Sequence, residues 1–384
     1  MTKKLRVAVI YGGRSGEHEV SLQSAASVME AMDREKYEVV PVKISKDGQW
    51  LLQGPSGAGN LSAGEIPGAL LADPTRQGLV ALDQQGVVTA PGNTGPGQVA
   101  TPVNTGPLPG SLARVDVVFP VLHGPYGEDG AIQGLLELAN LPYVGGGVAA
   151  SAVGMDKGLM KAAFAYKGLP QAKFLTVLRN EWETDPKKIK QTVAVELGYP
   201  CFIKPANLGS SVGISKARTP EELVPAMYLA GKFDRKIIIE EFVNAREIEV
   251  AVLGNDDPRA SVPGEIRPCN EFYDYKAKYI DGTSELMIPA DIPPETAAEA
   301  RRLAVEAFKA IDCAGLARVD FFLTKETGKL LLNEINTIPG FTKFSMYPKL
   351  WEATGIPYAR LIDELIDLAL ERHRDKNRNV TSYK

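Results

Sequence analysis

Residues 5–11, LRVAVIY, form a run that is apolar but for Arg6 and rich in β-branched residues, closed by Gly12-Gly13, and a stretch with helical periodicity follows at 21–32. A short apolar run bounded by glycines reads as a strand buried on both faces, and such strands belong to parallel sheets connected by helices. The chain therefore opens as a βα unit, with a second strand expected at 37–44. The pattern returns at 115–122, a run ending at His123-Gly124, with a helix predicted at 130–139. An open α/β domain follows from this. Ligands of such folds sit beyond the carboxyl ends of the strands, where both Gly12-Gly13 and His123-Gly124 fall. Residues 54–110 are rich in Gly, Pro, Ser and Asn. They read as a poorly packed insertion carrying little chemistry, with one hairpin expected at 78–90.

Beyond residue 147 the periodicities predict a helix at 151–167, a strand at 173–177, a helix at 187–197 and a strand at 201–204 with a hairpin partner at 213–216. Antiparallel strands at 237–242 and 248–253, a long amphipathic helix at 294–311, strands at 317–323 and 329–336 and terminal helices across 351–372 complete the pattern. A length of 384 residues suggests two or three domains. The net charge of -4 and pI near 5.7 offer no basic field for nucleic acid or an anionic membrane, so any phosphate binding must be local. Three scattered cysteines, Cys201, Cys269 and Cys313, form no CxxC pair and suit a reducing cytoplasm. The apolar run near the N-terminus is too short for a secretion signal, and no transmembrane segment is expected.

Two constellations carry chemistry. The first is Lys204, at a predicted strand end, followed by a loop containing Gly209, Ser210, Ser211 and Gly213. Its bare amides suit phosphate oxygens, although a Gly/Ser loop is equally the mark of a simple hairpin turn. The Walker pattern GxxxxGK[ST] is absent. The second is Asp320 on one strand with Glu334 and Asn336 two apart on another, so that alternation puts the latter pair on one face. Two carboxylates and an amide suit Mg²⁺ shared with nucleotide phosphates. Arg318 lies on the face of Asp320, placed for an oxyanion or a phosphate. A solvent-facing salt-bridge ladder is the other reading, but the core-like flanks Phe321-Phe322 and Leu331-Leu332 argue against it.

A lysine-bearing glycine loop upstream and R-x-D…E-x-N downstream resemble the ATP-grasp superfamily. More narrowly, GGRSGEHEVSLQSA, HGPYGEDGAIQG (123–134) and GLARVDFFL…LLNEINTIPG (315–340) resemble the D-alanine:D-alanine ligases. SAVGMDK, IEEFV and EFYDYKAKY add to the likeness, which spans about residues 5–370; the 54–110 segment matches loosely. The resemblance implies α/β and α+β architecture in three domains: an open α/β domain at 1–146, a central subdomain at 147–238, and a C-terminal subdomain at 239–384 bearing the metal site and a lid at 267–285. The last two would clamp ATP between them.

The resemblance implies an ATP-dependent ligation of two D-alanines through a D-alanyl phosphate, supplying peptidoglycan precursors. Lys157 and Lys204 would hold ATP phosphates and Lys278 the transferring phosphoryl group. Glu240, Glu241, Phe242, Val243 and Glu247 would surround adenine and ribose, with Ser211 and Asn333 also binding ATP. Asp320, Glu334 and Asn336 would bind two Mg²⁺, with Mn²⁺ as a substitute. Glu17 would pair with the first D-alanine's ammonium, in a chain with Ser210 and Tyr279. Arg318 and the Gly340 N–H would form the oxyanion site, and Ser345 with Met346 the second carboxylate's pocket. His123 either orients substrate or is a structural hydrogen-bonder. His18 is expected to be exposed and without a role, and Tyr275 and Trp351 to pack. The aromatic-rich stretch around Lys278 and Tyr279 suits a water-excluding lid. Small-molecule substrates, a homodimer, a cytoplasmic location, and no nucleic acid or membrane partner complete the expectation. Two rivals differ in their predictions. A D-alanine:D-lactate ligase usually departs from YDYKAKY at the lid, and a dinucleotide-binding protein would leave Asp320, Glu334 and Asn336 unexplained.

Overall fold

A computed structural model describes residues 3–53, 65–75, 78–82, 114–267 and 285–380. The N-terminal region contains β1 (Leu5–Gly12), α1 (His18–Ala31), β2 (Tyr37–Ile44), β3 (Trp50–Gln53), β4 (Glu65–Leu70), β5 (Leu79–Ala81), β6 (Val117–Val121) and α2 (Ala131–Leu138). β1 lies between β2 and β6, parallel to both, and Val7 to Tyr11 are buried. Covering on both sides is the physical reason for its apolar run from Val7 to Tyr11.

The sheet runs β5-β4-β3-β2-β1-β6, and its outer strands correct one expectation. β4 and β5 fall inside the segment read as a poorly packed insertion, yet Leu70 and Leu79 are buried in the same core as Ile10 and Val42. Pro67 and Gly68 inside β4 disguised a short strand, and propensity lost to tertiary pairing. Only the first part of the expected 78–90 hairpin is described; there β5 pairs with β4.

The central region holds α3 (Val148–Met155), α4 (Lys157–Tyr166), β7 (Phe174–Leu178), α5 (Arg179–Thr184), α6 (Pro186–Glu196), β8 (Cys201–Pro205), β9 (Ser215–Ala217), α7 (Pro220–Phe233) and β10 (Lys236–Glu241). The single helix expected at 151–167 is broken at Asp156, which is extended and caps α4 by accepting from the Gly158 and Leu159 N–H groups at 3.0 and 3.1 Å. Helix α7 was not anticipated. The antiparallel sheet β7-β10-β8-β9 packs its own core around Trp182, Ile203, Met227 and Ile239.

Next come β11 (Ala245–Gly254), β12 (Arg259–Ala260), β13 (Gly264–Arg267), β14 (Glu285–Met287), α8 (Pro294–Ala310), β15 (Gly315–Thr324), β16 (Leu330–Asn336), α9 (Met346–Ala353) and α10 (Tyr358–Lys376). They build the sheet β14-β13-β11-β15-β16, with β12 on β11. On α8 the residues Ala300, Leu303, Ala304, Ala307 and Phe308 recur at helical spacing and pack with Phe321, Leu332 and α4's Met160 and Phe164. Helix α10 returns to the first sheet. Leu361, Leu365 and Ile366 share a core with Val7 and Phe119, and Asp363 accepts from Tyr37 Oη at 2.9 Å and Lys36 Nζ at 2.6 Å. Arg372 lies 4.2 Å from the Tyr143 ring centre. Among the described residues no helix is long and apolar enough to cross a membrane.

Candidate active site

The pairing of β15 with β16 sets Arg318 opposite Asn336 and Asp320 opposite Glu334, after which the register slips so that Phe321 faces Leu332. Asn333 is therefore the extra residue of a β-bulge, a device found beside active sites because it re-aims side chains. Arg318 grips Asp320 with two bonds, Nε to Oδ1 and Nη2 to Oδ2, both 2.7 Å. Its Nε also stands 2.9 Å from Glu249 on β11, and Asn336 Nδ2 donates to Asp320 Oδ2 at 3.0 Å. Burial works against the Arg318 charge, but Asp320, Glu249 and Glu334 hold it protonated. Glu249 was not anticipated. The alternating acids of Glu247-Ile248-Glu249 on a strand were the available signal.

A second charged cluster faces this one. Lys204 on β8 lies opposite Ile238, two residues from Glu240 along β10, so the lysine and the glutamate share a face. Glu240 is buried and accepts from Lys204 and, at 2.5 Å, from Lys161. Burial alone would raise the Glu240 carboxyl; the two ammonium groups prevail and draw it down to about 2. Lys204 is also raised despite burial, by Glu240 first and by Glu334 and Glu247. Lys157 donates to the Leu208 carbonyl at 2.9 Å and stands 3.7 Å from Glu334, bridging the loop after β8 to β16. That loop is anchored by Asn207, whose N–H and Nδ2 both donate to Asp234 at 2.8 Å. Ser210 and Ser211 adopt left-handed φ of 52° and 58°. Such strain in non-glycine residues collects at ligand clamps. The loop is not a simple two-residue hairpin turn, since nine residues lie between Pro205 of β8 and Ser215 of β9.

Beside this loop the Phe202 and Phe242 rings lie 6.2 Å apart, with Lys216 4.1 Å from the Phe242 ring centre. Phe202, also unanticipated, offers with Phe242 an aromatic wall for a planar base. Glu241 turns aside to accept from the Lys173 N–H at 2.8 Å.

The N-terminal region supplies Glu17, which accepts from the Ser210 hydroxyl. Two glycines make room for it. A Cβ on Gly124 would lie 2.7 Å from Glu17 Oε2, and one on Gly209 would lie 3.0 Å from it. Against expectation, His18 is buried, with Nδ1 2.8 Å from the Gly13 carbonyl; it braces the turn after β1. His123 is buried too. Its Nδ1 meets the Ile338 carbonyl at 3.0 Å and its Nε2 the Ser24 hydroxyl at 3.3 Å, and burial lowers its pKa. Both ring nitrogens thus serve hydrogen bonds within the protein. Glu128, not singled out from sequence, accepts from the Gly124 N–H at 2.8 Å and the Ile338 N–H at 3.2 Å. Burial, with Glu17 nearby, raises its carboxyl to about 8. The Ile338 peptide groups are therefore gripped by His123 and Glu128, just before Gly340. Ser345 precedes α9 and accepts from the Thr342 N–H at 3.0 Å, while Met346 is buried. Trp351 packs as expected. Lys278, Tyr279, Tyr275 and most of the expected lid lie outside the described residues.

Lys204 on one sheet and Lys157 on the adjoining helix, facing an arginine and paired carboxylates on another sheet, define a protein of the ATP-grasp class. Family models described as the D-ala D-ala ligase N-terminus and C-terminus match residues 6–146 and 163–367. The chain belongs to the D-alanine–D-alanine ligase family. It is 54% identical to the D-alanine–D-alanine ligase of Heliobacterium modesticaldum over 382 residues, 98% of each chain, and 50% identical to that of Bacillus cytotoxicus, again over 98% of each. Among solved structures, the D-alanine-D-alanine ligase from Coxiella burnetii superposes with a TM-score of 0.82 at 34% identity, covering 98% of this chain and 97% of that one. The VanG D-Ala:D-Ser ligase from Enterococcus faecalis gives 0.80 at 34%, covering 96% and 100%.

Proposed function

We propose that this chain uses ATP to join two D-alanines through a D-alanyl phosphate, for peptidoglycan precursor synthesis. The observation that carries the residue-level reading is the facing of Lys157, Lys204 and the strained Ser210-Ser211 loop by Arg318, Asp320 and Glu334. In the first step a carboxylate oxygen of one D-alanine attacks the γ-phosphorus of ATP, and ADP leaves. In the second, the amine of the other D-alanine attacks the acyl carbon, loses a proton, and phosphate departs. Little covalent work falls to the protein; alignment and charge neutralisation dominate. Glu17 holds the first ammonium and Ser210 keeps it in line. Lys157, Lys204 and Ser211 receive phosphates, with Lys278 from the lid. Phe202, Phe242, Val243, Glu247 and Asn333 surround the nucleoside, while Glu240, whose two oxygens are held by Lys161 and Lys204, serves the phosphate end. Arg318 and the Gly340 N–H meet the oxyanion, and Ser345 and Met346 the second carboxylate.

The donor set of Asp320, Glu334 and Asn336 fits Mg²⁺, being all oxygen and clustered on paired strands. Asp320 must turn one oxygen from Arg318 to share it. When bound, Mg²⁺ offsets phosphate charge. The three domains at 1–146, 147–238 and 239–384, a lid at 267–285, a homodimer and a cytoplasmic location belong to the same reading.

The test is phosphate release by purified protein with ATP, Mg²⁺ and D-alanine, set against L-alanine and against D-alanine with D-lactate or D-serine. Release without dependence on D-alanine overturns the reading. Omitting Mg²⁺ and adding Mn²⁺ tests the metal, and sedimentation equilibrium tests the dimer.

A further inference from the structure

Lys161 is 1% exposed, and its ammonium lies among Glu240 at 2.5 Å and the Phe174 ring, whose centre is 5.4 Å away. It stands one turn after Lys157 on α4, so one helix face sends two lysines toward the nucleotide site. A buried ion pair contributes little to stability, and apolar residues of similar volume often serve as well or better. Packing alone therefore does not account for a charge here. The carboxylate it binds is the one that also holds Lys204.

We infer that Lys161 is a positioning residue for ATP, and this rests on the reading of Lys204 as a phosphate ligand. Glu240 is a single negative charge divided between two ammonium groups, so the three side chains carry a net charge of about +1 when all are ionised. With Lys161 in place, Glu240 keeps one partner whatever Lys204 does. Lys204 is then free to swing an N–H toward a phosphate oxygen without stranding a buried carboxylate, which would be costly. Without Lys161, Glu240 would claim Lys204 entirely and the local charge would fall to zero. The polyanionic end of the nucleotide would lose both its partner and its field, whereas the uncharged nucleoside end would lose neither.

The experiment compares full-length wild type, Lys161→Met, Lys161→Arg and Lys204→Met by steady-state kinetics and by calorimetric binding of ATP and of adenosine. Lys161→Met is expected to raise KM for ATP about tenfold, corresponding to one lost charge interaction at an intermediate effective dielectric, with kcat within about threefold of wild type. Adenosine affinity should be unchanged, and Lys161→Arg should restore KM. Unchanged KM for ATP in Lys161→Met, while Lys204→Met weakens ATP, overturns this inference and spares the phosphate role of Lys204. Equal weakening of ATP and adenosine also overturns it, since that marks a structural residue. Undiminished ATP binding in Lys204→Met overturns both. If Lys161→Met does not fold, Lys161→Gln, neutral but able to donate to Glu240, is judged by the same ratio of ATP to adenosine affinity.

Discussion

Glu17, five residues beyond the end of β1, accepts a hydrogen bond from Ser210 across 193 residues of sequence. The contact joins the ligand-bearing end of the first sheet to the left-handed loop after β8, so the groups proposed for the first D-alanine and for ATP are held in one frame. Ser210→Ala removes a hydrogen bond to a charged group, of the kind contributing about 1.5–3 kcal/mol. We expect kcat/KM for D-alanine to fall roughly 10- to 100-fold, with adenosine binding retained. Unaltered D-alanine kinetics would remove Ser210 from the site.

Glycine requirements around Glu17 are equally open to trial. Gly124 has φ of 74°, and a Cβ there would meet Glu17 Oε2 at 2.7 Å. Gly124→Ala should therefore cost stability, at least about 1 kcal/mol from the backbone alone, and depress activity by displacing Glu17. Gly134 is the control. It lies inside α2, where an added Cβ meets nothing within 4 Å, and Gly134→Ala should stabilise by about 0.5–1 kcal/mol. Thermal unfolding of the two variants checks the contrast, and similar shifts for both would refute it.

Much of this site is legible in the sequence, for reasons specific to each part. Asp320, Glu334 and Asn336 stood out because acids interrupt core strands, and strand alternation dictates their common face. The bulge at Asn333 was not legible, since register depends on which backbone groups pair. Lys161 was hidden by reading 151–167 as one helix, on which a lysine is ordinarily a solvated side chain. Glu128 was passed over because Ile338, which donates to it, lies 210 positions away, and His18 was misjudged because its contact with the Gly13 carbonyl depends on how the turn after β1 folds. Local periodicity registers neither. β4 shows the same limit in the fold, where Pro67 and Gly68 outweighed a pairing only the sheet reveals.

The Arg318 cluster makes a stability prediction distinct from any effect on turnover. Asp320 and Glu249 are both buried and both lean on the one guanidinium. Arg318→Met leaves two buried carboxylates without it, and loss of a buried partner typically costs about 3–5 kcal/mol. Arg318→Lys keeps the charge but not the planar fork, so it should fall between Met and wild type. Urea unfolding at neutral pH measures the order. If Arg318→Met proves as stable as wild type, the carboxylates are relaxed by some other means and the cluster is not held by Arg318.

Glu128 ties the site to pH. Its carboxyl is raised to about 8, by burial first and by Glu17 second, against an ordinary value near 4.5. Between those values the native state retains a proton that the unfolded chain has released. Stability from this group is therefore complete below about pH 4.5 and is lost as pH rises toward 8, by no more than about 1.4 kcal/mol per unit. Glu128→Gln cannot ionise and lacks this dependence. It also gives up one acceptor, since an amide nitrogen cannot receive the N–H of Gly124 or Ile338. The variant should accordingly be the less stable protein at pH 5, and the difference should shift in its favour as pH is raised to 8. Denaturant unfolding of both proteins across that range decides the matter; a constant difference would mean that Glu128 is ionised throughout, and that Glu17 and Glu128 bear their charges side by side.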